Sequence, residues 1–559
     1  MSAALATPVG PDTGRVPLLA APPPSSCSAL PIPDGPCPVC PRLAQEFEPW
    51  RQAGYWKAMH DRAVQREALL QQEIEQLRAQ LRLREQQLFG RKAETTAAPT
   101  PSTTCRDDPP RRRRGQQPGH PGPRRRDYSH LPAVIEEHEI PGAQCGCQRC
   151  GRPFAPVRGT EDSTILEIEV QAHRRVIRRH RYRPTCACGA HAGMVTAPPA
   201  PRVLPKSILG VSILVELLVD KYLSYRPTYR LLADLATRDL DLSLGTVTDA
   251  LQRLLPLFEP VYEALATHSR RQPLWHGDET RWLVFATVEG KVGFRWYLWV
   301  FHAAEVVVFV LAQGRAHNVP EDYLGPQAEG ILVVDRYKAY QAIAQVKGGQ
   351  IVLAFCWAHV RRDFVTVART WPEQEGWALG WVERIGQVYQ LNDQRRAVLE
   401  EPAQFAAADA RLRAAVTALG AQGEAELTDP QLHPARRKVL ESLGDHWTGL
   451  TVFVEHPEVP MDNNTAERAQ RGPVVGRKNY YGSGAVWAGR LAAMLFSLLQ
   501  TLCLWNLNPR AWLTAYLTAC AEAGGAPPAD GERFLPWNLS EEDRQRWSLA
   551  RANADENTS

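Results

Sequence analysis

The stretch LWHGDETRWLVFATVEGKVGFRWYLWVFHAAEVVVFVLA, residues 274–312, decides the fold. Trp282, Val284, Ala286 and Val288 alternate with other residues in the period of a strand. The run Phe294 to His302 follows the turn Glu289-Gly290-Lys291, and Val306 to Leu311 supplies a third strand. Three strands joined by short turns read as an antiparallel meander. After a helical segment, Ile331-Leu332-Val333-Val334 is an apolar run of the kind buried on both faces of a mixed sheet, and it ends in Asp335. Asp278 is expected to open the first strand and Asp335 to end the fourth, so adjacent central strands would bring two carboxylates, 57 residues apart in sequence, to one spot.

A third carboxylate is expected from a helix packed on that sheet. Asp462-Asn463-Asn464 offers N-cap chemistry, Glu467 falls in the first turns, and Gly472-Pro473 should stop the helix. Glu467 and Arg471, four apart, would also suit a surface ion pair, but the asparagine pair and the basic Arg477-Lys478 favour a site. Hard divalent cations prefer carboxylate oxygens, and two of them about 4 Å apart can clamp the attacking and leaving oxygens of a phosphoryl displacement. Cys356 and His359, one turn apart where strand Ile351 to Phe355 gives way to a helix, read as a brace for the site floor, since two ligands alone do not make a structural metal site. Arg361, Arg362, Arg468, Arg471, Arg477 and Lys478 are candidates to grip phosphates.

Outward from this centre the composition divides the chain. At 559 residues it is too long for one ordinary core, and its net charge of +4 matters less than the clustering of its arginines. Residues 1–44 are rich in Pro, Ala and Ser and read as disordered, with Cys37-Pro-Val-Cys40 lacking a second pair nearby. Residues 45–92 read as a coiled-coil helix, because Leu70, Ile74, Leu77, Leu81 and Leu88 form a heptad seam; a single helix docked on the body is the alternative. Residues 93–140 form a linker containing PPRRRRGQQPGHPGPRRR, an extended cationic arm whose Arg112, Arg113 and Arg114 suit DNA phosphates or a minor groove, unless it is a solvated linker and nothing more.

Residues 141–200 read as a small zinc-binding β module. Cys147 and Cys150 open it, Cys186 and Cys188 close it, and four thiolates on structural Zn²⁺ would hold a segment too small for its own core. Cys145 is a competing ligand. Residues 206–268 are helical, with Ser243 as an N-cap, and resemble a helix-turn-helix pair, an arrangement that also occurs in cores that never meet DNA. The first part of the mixed-sheet core is expected over 270–369, an all-α insertion over 370–455, the second part of the core over 456–520 and a tail over 521–559, loose beyond about 540. No secretory signal is visible, and the apolar run Leu491 to Leu507 falls short of the ~20 residues a membrane span needs. A cytoplasmic protein without a membrane partner is therefore expected.

The strings Trp275-His276-Gly277-Asp278-Glu279-Thr280, Cys356-Trp357-Ala358-His359 with Arg361-Arg362, Asp462-Asn463-Asn464 with Glu467-Arg468, and Gly476-Arg477-Lys478-Asn479 resemble those of insertion-sequence-66 transposases. The resemblance extends from Gln87-Leu88-Phe89-Gly90-Arg91-Lys92 and the cysteine pairs to Leu535-Pro536-Trp537-Asn538. The single spacer between Cys186 and Cys188 departs from the pattern, as does Tyr480-Tyr481-Gly482. The resemblance implies a multidomain α+β chain with a ribonuclease H-like catalytic core and a DDE triad of Asp278, Asp335 and Glu467 holding two Mg²⁺ or Mn²⁺ ions, with Asn463 and Asn464 as active-site support. It further implies double-stranded DNA as partner (transposon ends and target), a homo-oligomer formed through the coiled coil, small accessory proteins of the same element, and a bacterial setting at the nucleoid. In the implied reaction, water frees a 3′-hydroxyl at each end, and that hydroxyl then attacks the target strand. A DNA-binding regulator with an inactive core and a hydrolytic nuclease of the same fold are the rival readings.

Overall fold

The computed structural model describes residues 170–182, 194–290 and 293–549, together with 53–54, 57–67, 69–71, 73–74, 77, 135, 149–150 and 152. The chain divides into two units, Met1–Gly90 and Arg91–Ser559. In the first, the described residues are helical, and Leu70, Ile74 and Leu77 of the expected seam are exposed; Leu81 and Leu88 lie outside the described residues.

The second unit is built on a five-stranded mixed sheet. After a two-residue pairing of β1 (Arg181–Tyr182) with β2 (Val195–Thr196) come three helices: α1 (Val211–Tyr222), α2 (Thr228–Ala236) and α3 (Leu244–Arg270). Ser243 does cap α3, its Oγ accepting from the N–H of Thr246 at 3.1 Å. The sheet strands are β3 (Leu274–Leu283), β4 (Arg295–His302), β5 (Val307–Ala312), β6 (Gly330–Val334) and β7 (Ile351–Phe355), in the order β5-β4-β3-β6-β7. β3, β4 and β5 run antiparallel, while β6 pairs in parallel with both β3 and β7.

One expectation about β3 needs correcting. Asp278 does not open this strand but lies at its middle, and Ala286 and Val288 fall beyond its end. Trp275, His276 and Gly277 are all buried, because the first half of β3 is covered on both faces. Two-sided burial erases the alternation by which a strand is read from sequence.

The edge strand β5 shows why a mostly apolar helix carries hydroxyls. α4 (Asn318–Leu324) follows β5, and much later α10 (Val486–Leu504) packs along it. Ser497 Oγ accepts from Phe309 N–H at 2.7 Å and Thr501 Oγ1 from Val307 N–H at 3.0 Å, so the edge amides are satisfied by side chains within the core. Among the described residues α10 alone is long and apolar enough to cross a membrane, and 67% of it is buried inside the protein, as a core helix would be.

Beyond β7 come α5 (Trp357–Thr370), α6 (Glu375–Arg396), α7 (Pro402–Leu427) and α8 (Pro434–Asp445), so the stretch between the sheet and Asp462 is helical. Fully buried Arg395 of α6 ties this group down by donating to Asp409 Oδ1 at 2.9 Å and to the carbonyls of Phe453 and Val454 at 2.6 and 2.9 Å. The last helices among the described residues are α11 (Pro509–Glu522) and α12 (Glu541–Trp547). The expected loose tail is not loose through residue 549: Trp547 is buried and stacks on Phe534 with ring centroids 5.9 Å apart.

The helix bearing Glu467 departs most from expectation. α9 spans Asn464–Tyr480 and runs straight through Pro473. Proline lacks the N–H that would bond the carbonyl of Ala469, and the Gln500 side chain of α10 donates to that carbonyl instead, at 3.0 Å. Gly472 is present because a Cβ there would run into the Tyr225 hydroxyl. Gln500→Leu is expected to lower the unfolding free energy, read by urea titration, by about 1–3 kcal/mol, the usual cost of stranding a buried polar group. Pro473→Ala restores the helical N–H and should recover part of that loss; equal losses with and without it would overturn the explanation.

Candidate active site

The parallel register Leu274↔Ile331 to His276↔Val333 sets β3 beside β6, and two residues further along both chains stand Asp278 and Asp335. Asp335 leaves the carboxyl end of β6, where Oδ1 accepts from Tyr337 N–H at 2.9 Å. Cys356 leaves the end of β7 in the same way, its N–H donating to Val334 at 3.0 Å. The carboxyl ends of parallel strands are where open α/β sheets ordinarily place ligands.

α9 lies along β3 and presents one face to it. Asn463, Glu467, Gln470 and Arg477 fall at helical spacing on that face. Buried Asn463 donates from Nδ2 to Gly277 O at 2.7 Å, and its Oδ1 lies 3.1 Å from His276 Nδ1. Gln470 donates to Leu298 O at 3.0 Å and to Asp278 O at 3.4 Å. Arg477 donates to Thr280 Oγ1 at 2.8 Å. Asn463 and Gln470 thus anchor the helix at neighbouring residues of β3, and Glu467 lies between these two anchors in α9.

Electrostatics agree with that placement. The Asp278 carboxyl is pushed up to about 8, first by burial and then by the charges of Glu279, Asp335 and Glu467, against which only the Glu279 backbone N–H offers relief. Glu467 Oε1 is buried without a hydrogen-bond partner and lies 3.8 Å from His359 Nε2. Burial, with Arg362 nearby, holds the imidazole of His359 below its ordinary value and so favours its neutral form. Burial likewise lowers His276, with Asn463 opposing.

Other expected residues are placed differently. Asn463 does not cap α9 with its side chain, which is committed to β3; Asp462 Oδ1 takes the N–H of Asn464 at 3.0 Å instead. Arg477 is an internal clamp, whereas Arg362, Arg468, Arg471 and Lys478 are exposed. Arg361 and Arg362 line a cavity of about 440 Å³ with Tyr389, Asp462 and Asn464. Cys356 is buried, and its Sγ accepts from Asn463 N–H at 3.2 Å. Cys150 is exposed, and Cys147, Cys186, Cys188, Arg112, Arg113 and Arg114 lie outside the described residues.

Sequence reasoning missed Glu279. One residue from Asp278, it points to the opposite face of the strand, where Tyr340 Oη and Arg315 Nε each donate to it at 2.6 Å. Burial raises its carboxyl, and these two donors oppose the rise. Arg315 in turn lies over the Tyr337 ring at 3.8 Å from its centroid, so this acid is a packed structural group behind Asp278. Gln470 was missed too, although its seven-residue spacing from Asn463 is a signal that would have found it.

A family model described as the transposase IS66 family matches residues 206–491, which contain β3, β6 and α9 with all three acids. The uncharacterized protein y4jD of Sinorhizobium fredii is 30% identical over 424 residues, covering 73% of this chain and 80% of the relative. The uncharacterized protein y4hP of the same organism is 25% identical over 440 residues, covering 73% and 76%. A model spanning just over half of the chain, with a relative of this identity and coverage, assigns the family: the chain belongs to the IS66 family of transposases.

Proposed function

We propose that this chain is a DDE transposase that binds the terminal inverted repeats of an insertion sequence, cuts the ends by divalent-metal-dependent hydrolysis and joins the freed 3′-hydroxyls to target DNA. The observation that carries the reading is geometric: Asp278 and Asp335 stand two residues beyond the same parallel register, and Asn463 and Gln470 fasten the helix bearing Glu467 to β3 at Gly277 and Asp278. Burial and the charge of Glu279, with smaller contributions from Asp335 and Glu467, raise the Asp278 carboxyl, and bound cations would favour its charged form. The sheet order β5-β4-β3-β6-β7, three antiparallel strands followed by two parallel ones, supports a ribonuclease H-like core.

The donor set suits Mg²⁺ or Mn²⁺: carboxylate oxygens from Asp278, Asp335 and Glu467, the ligands hard cations prefer. When bound, such ions supply positive charge to the attacking and leaving oxygens of an in-line phosphoryl displacement. The chain's own part is to hold its oxygens still. Asn463 and Gln470 pin α9 to β3, which fixes Glu467 relative to Asp278, and the Tyr337 N–H orients Asp335. The exposed Arg362, Arg468, Arg471 and Lys478 are positioned to take DNA phosphates. The cysteine module, with structural Zn²⁺, and the arginine arm would add contacts to the ends, and the leucine seam would pair subunits.

Asp278→Asn, Asp335→Asn and Glu467→Gln should each reduce Mg²⁺-dependent cleavage of terminal DNA by about 10³-fold or more while leaving end binding intact; cleavage untouched by Asp278→Asn would sink the proposal. A pH dependence follows from the raised acid. A carboxyl that holds its proton in the folded chain contributes stability that is present below the unfolded value of about 4 and is lost as pH rises toward 8. Without divalent ions, Asp278→Asn should match the unmodified chain near pH 4 and exceed its stability at pH 8 by several kcal/mol. Mg²⁺ added at pH 8 should stabilise the unmodified chain and narrow the gap. Parallel thermal-unfolding profiles from pH 4 to 8 would contradict this reading.

A further inference from the structure

Cys356, His359 and Glu467 each offer one ligand atom, and these atoms lie within 4.8 Å of one another. Two of the three residues come from one turn at the start of α5, the third from α9. Neither the thiol nor the imidazole has a part in the proposed Mg²⁺ chemistry, which draws on oxygen donors alone. Glu467 therefore stands between two kinds of ligand: the acids on one side, and sulfur and nitrogen on the other.

We infer that Cys356, His359 and Glu467 form a second metal site, selective for a borderline ion of the Zn²⁺ class, whose occupation draws Glu467 away from the carboxylate set. Three features of the site carry it. Glu467 Oε1 is a buried atom without a hydrogen-bond partner, and the 3.8 Å between His359 Nε2 and Glu467 Oε1 is too long for a hydrogen bond, so the pair does not satisfy itself. The ligand chemistry is soft-to-borderline, and a tetrahedral zinc with bonds of about 2.0–2.3 Å would set its donors ~3.5 Å apart, which small side-chain rotations reach from the present separation. Finally, the sulfur is held in place by the Asn463 N–H at 3.2 Å, while His359 and Glu467 retain 24% and 32% exposure, which leaves a path for the ion and room for water as fourth ligand. Binding displaces the thiol proton to solvent.

The metal binding stands without the transposase reading; only its inhibitory consequence rests on that reading. The test uses the full chain as purified, without DNA, titrated with Co²⁺ as a spectroscopic stand-in for Zn²⁺. The unmodified chain should take up one more Co²⁺ than Cys356→Ser, and the difference spectrum of the two should show a sulfur-to-cobalt charge-transfer band that Zn²⁺ bleaches. His359→Gln, which keeps the buried sulfur and its packing, should weaken Co²⁺ binding at least tenfold, so a folding defect in Cys356→Ser does not decide the matter. Equal uptake and identical spectra for the unmodified chain and both variants would overturn the site. In cleavage assays, with each protein read against its own rate in Mg²⁺ alone, micromolar Zn²⁺ should inhibit the unmodified chain by a larger factor than His359→Gln; equal fractional inhibition of both would remove the competition for Glu467 even where the site binds metal.

Discussion

The structure depends on a helix being laid along a strand nearly two hundred residues away in sequence. Asn463 and Gln470, both buried, spend their amides on the carbonyls and the histidine of β3 and β4 instead of on their own helix. Buried amides must find partners, and here the partners are backbone groups whose positions are already set by the sheet. The result is a fixed register between α9 and β3, and Glu467 takes its position from that register. The strap on the other side, Met461 O to Trp357 N–H at 2.8 Å and Asn463 N–H to Cys356 Sγ, ties the same loop to the start of α5.

Because that register is imposed by packing, acids can be held together against their own repulsion. Folding energy from the sheet and from α10 offsets the cost of a buried Asp278 surrounded by Glu279, Asp335 and Glu467. Burial raises Glu279 as it raises Asp278, but Glu279 has side-chain donors of its own in Tyr340 and Arg315. One strand thus carries a structural acid on one face and a frustrated one on the other. Around Glu467, the acids Asp278 and Asp335 belong to the sheet, while Cys356 and His359 belong to the start of α5.

Much of this was legible in the sequence. The short apolar run ending in Asp335 marked a buried strand, and the strands read around Asp278, with Ile351 to Phe355 as the fifth, stand, because burial and β-propensity leave strong local signals. The position of Asp278 within β3 was not legible, since a strand covered on both faces has no alternation to read. Pro473 misled for a physical reason: the carbonyl of Ala469 that it leaves without a helical partner is taken by Gln500, thirty-one residues beyond Ala469 in a helix that no local rule connects to it. The second commitment of Asn463, to β3 rather than to a cap, was likewise a tertiary choice between two satisfactory bonds. His359 and Cys356 were visible as a pair, but the third ligand that turns the pair into a cluster emerges only when α9 is packed.

Diffraction from crystals grown with Mn²⁺ and the three acids intact, recorded on both sides of the manganese absorption edge, tests the central claim most directly. The account expects anomalous density between Asp278, Asp335 and Glu467, with Asp278 oxygens in contact with it. Manganese absent from that spot, or Glu467 bound elsewhere and turned away from Asp278, would contradict it.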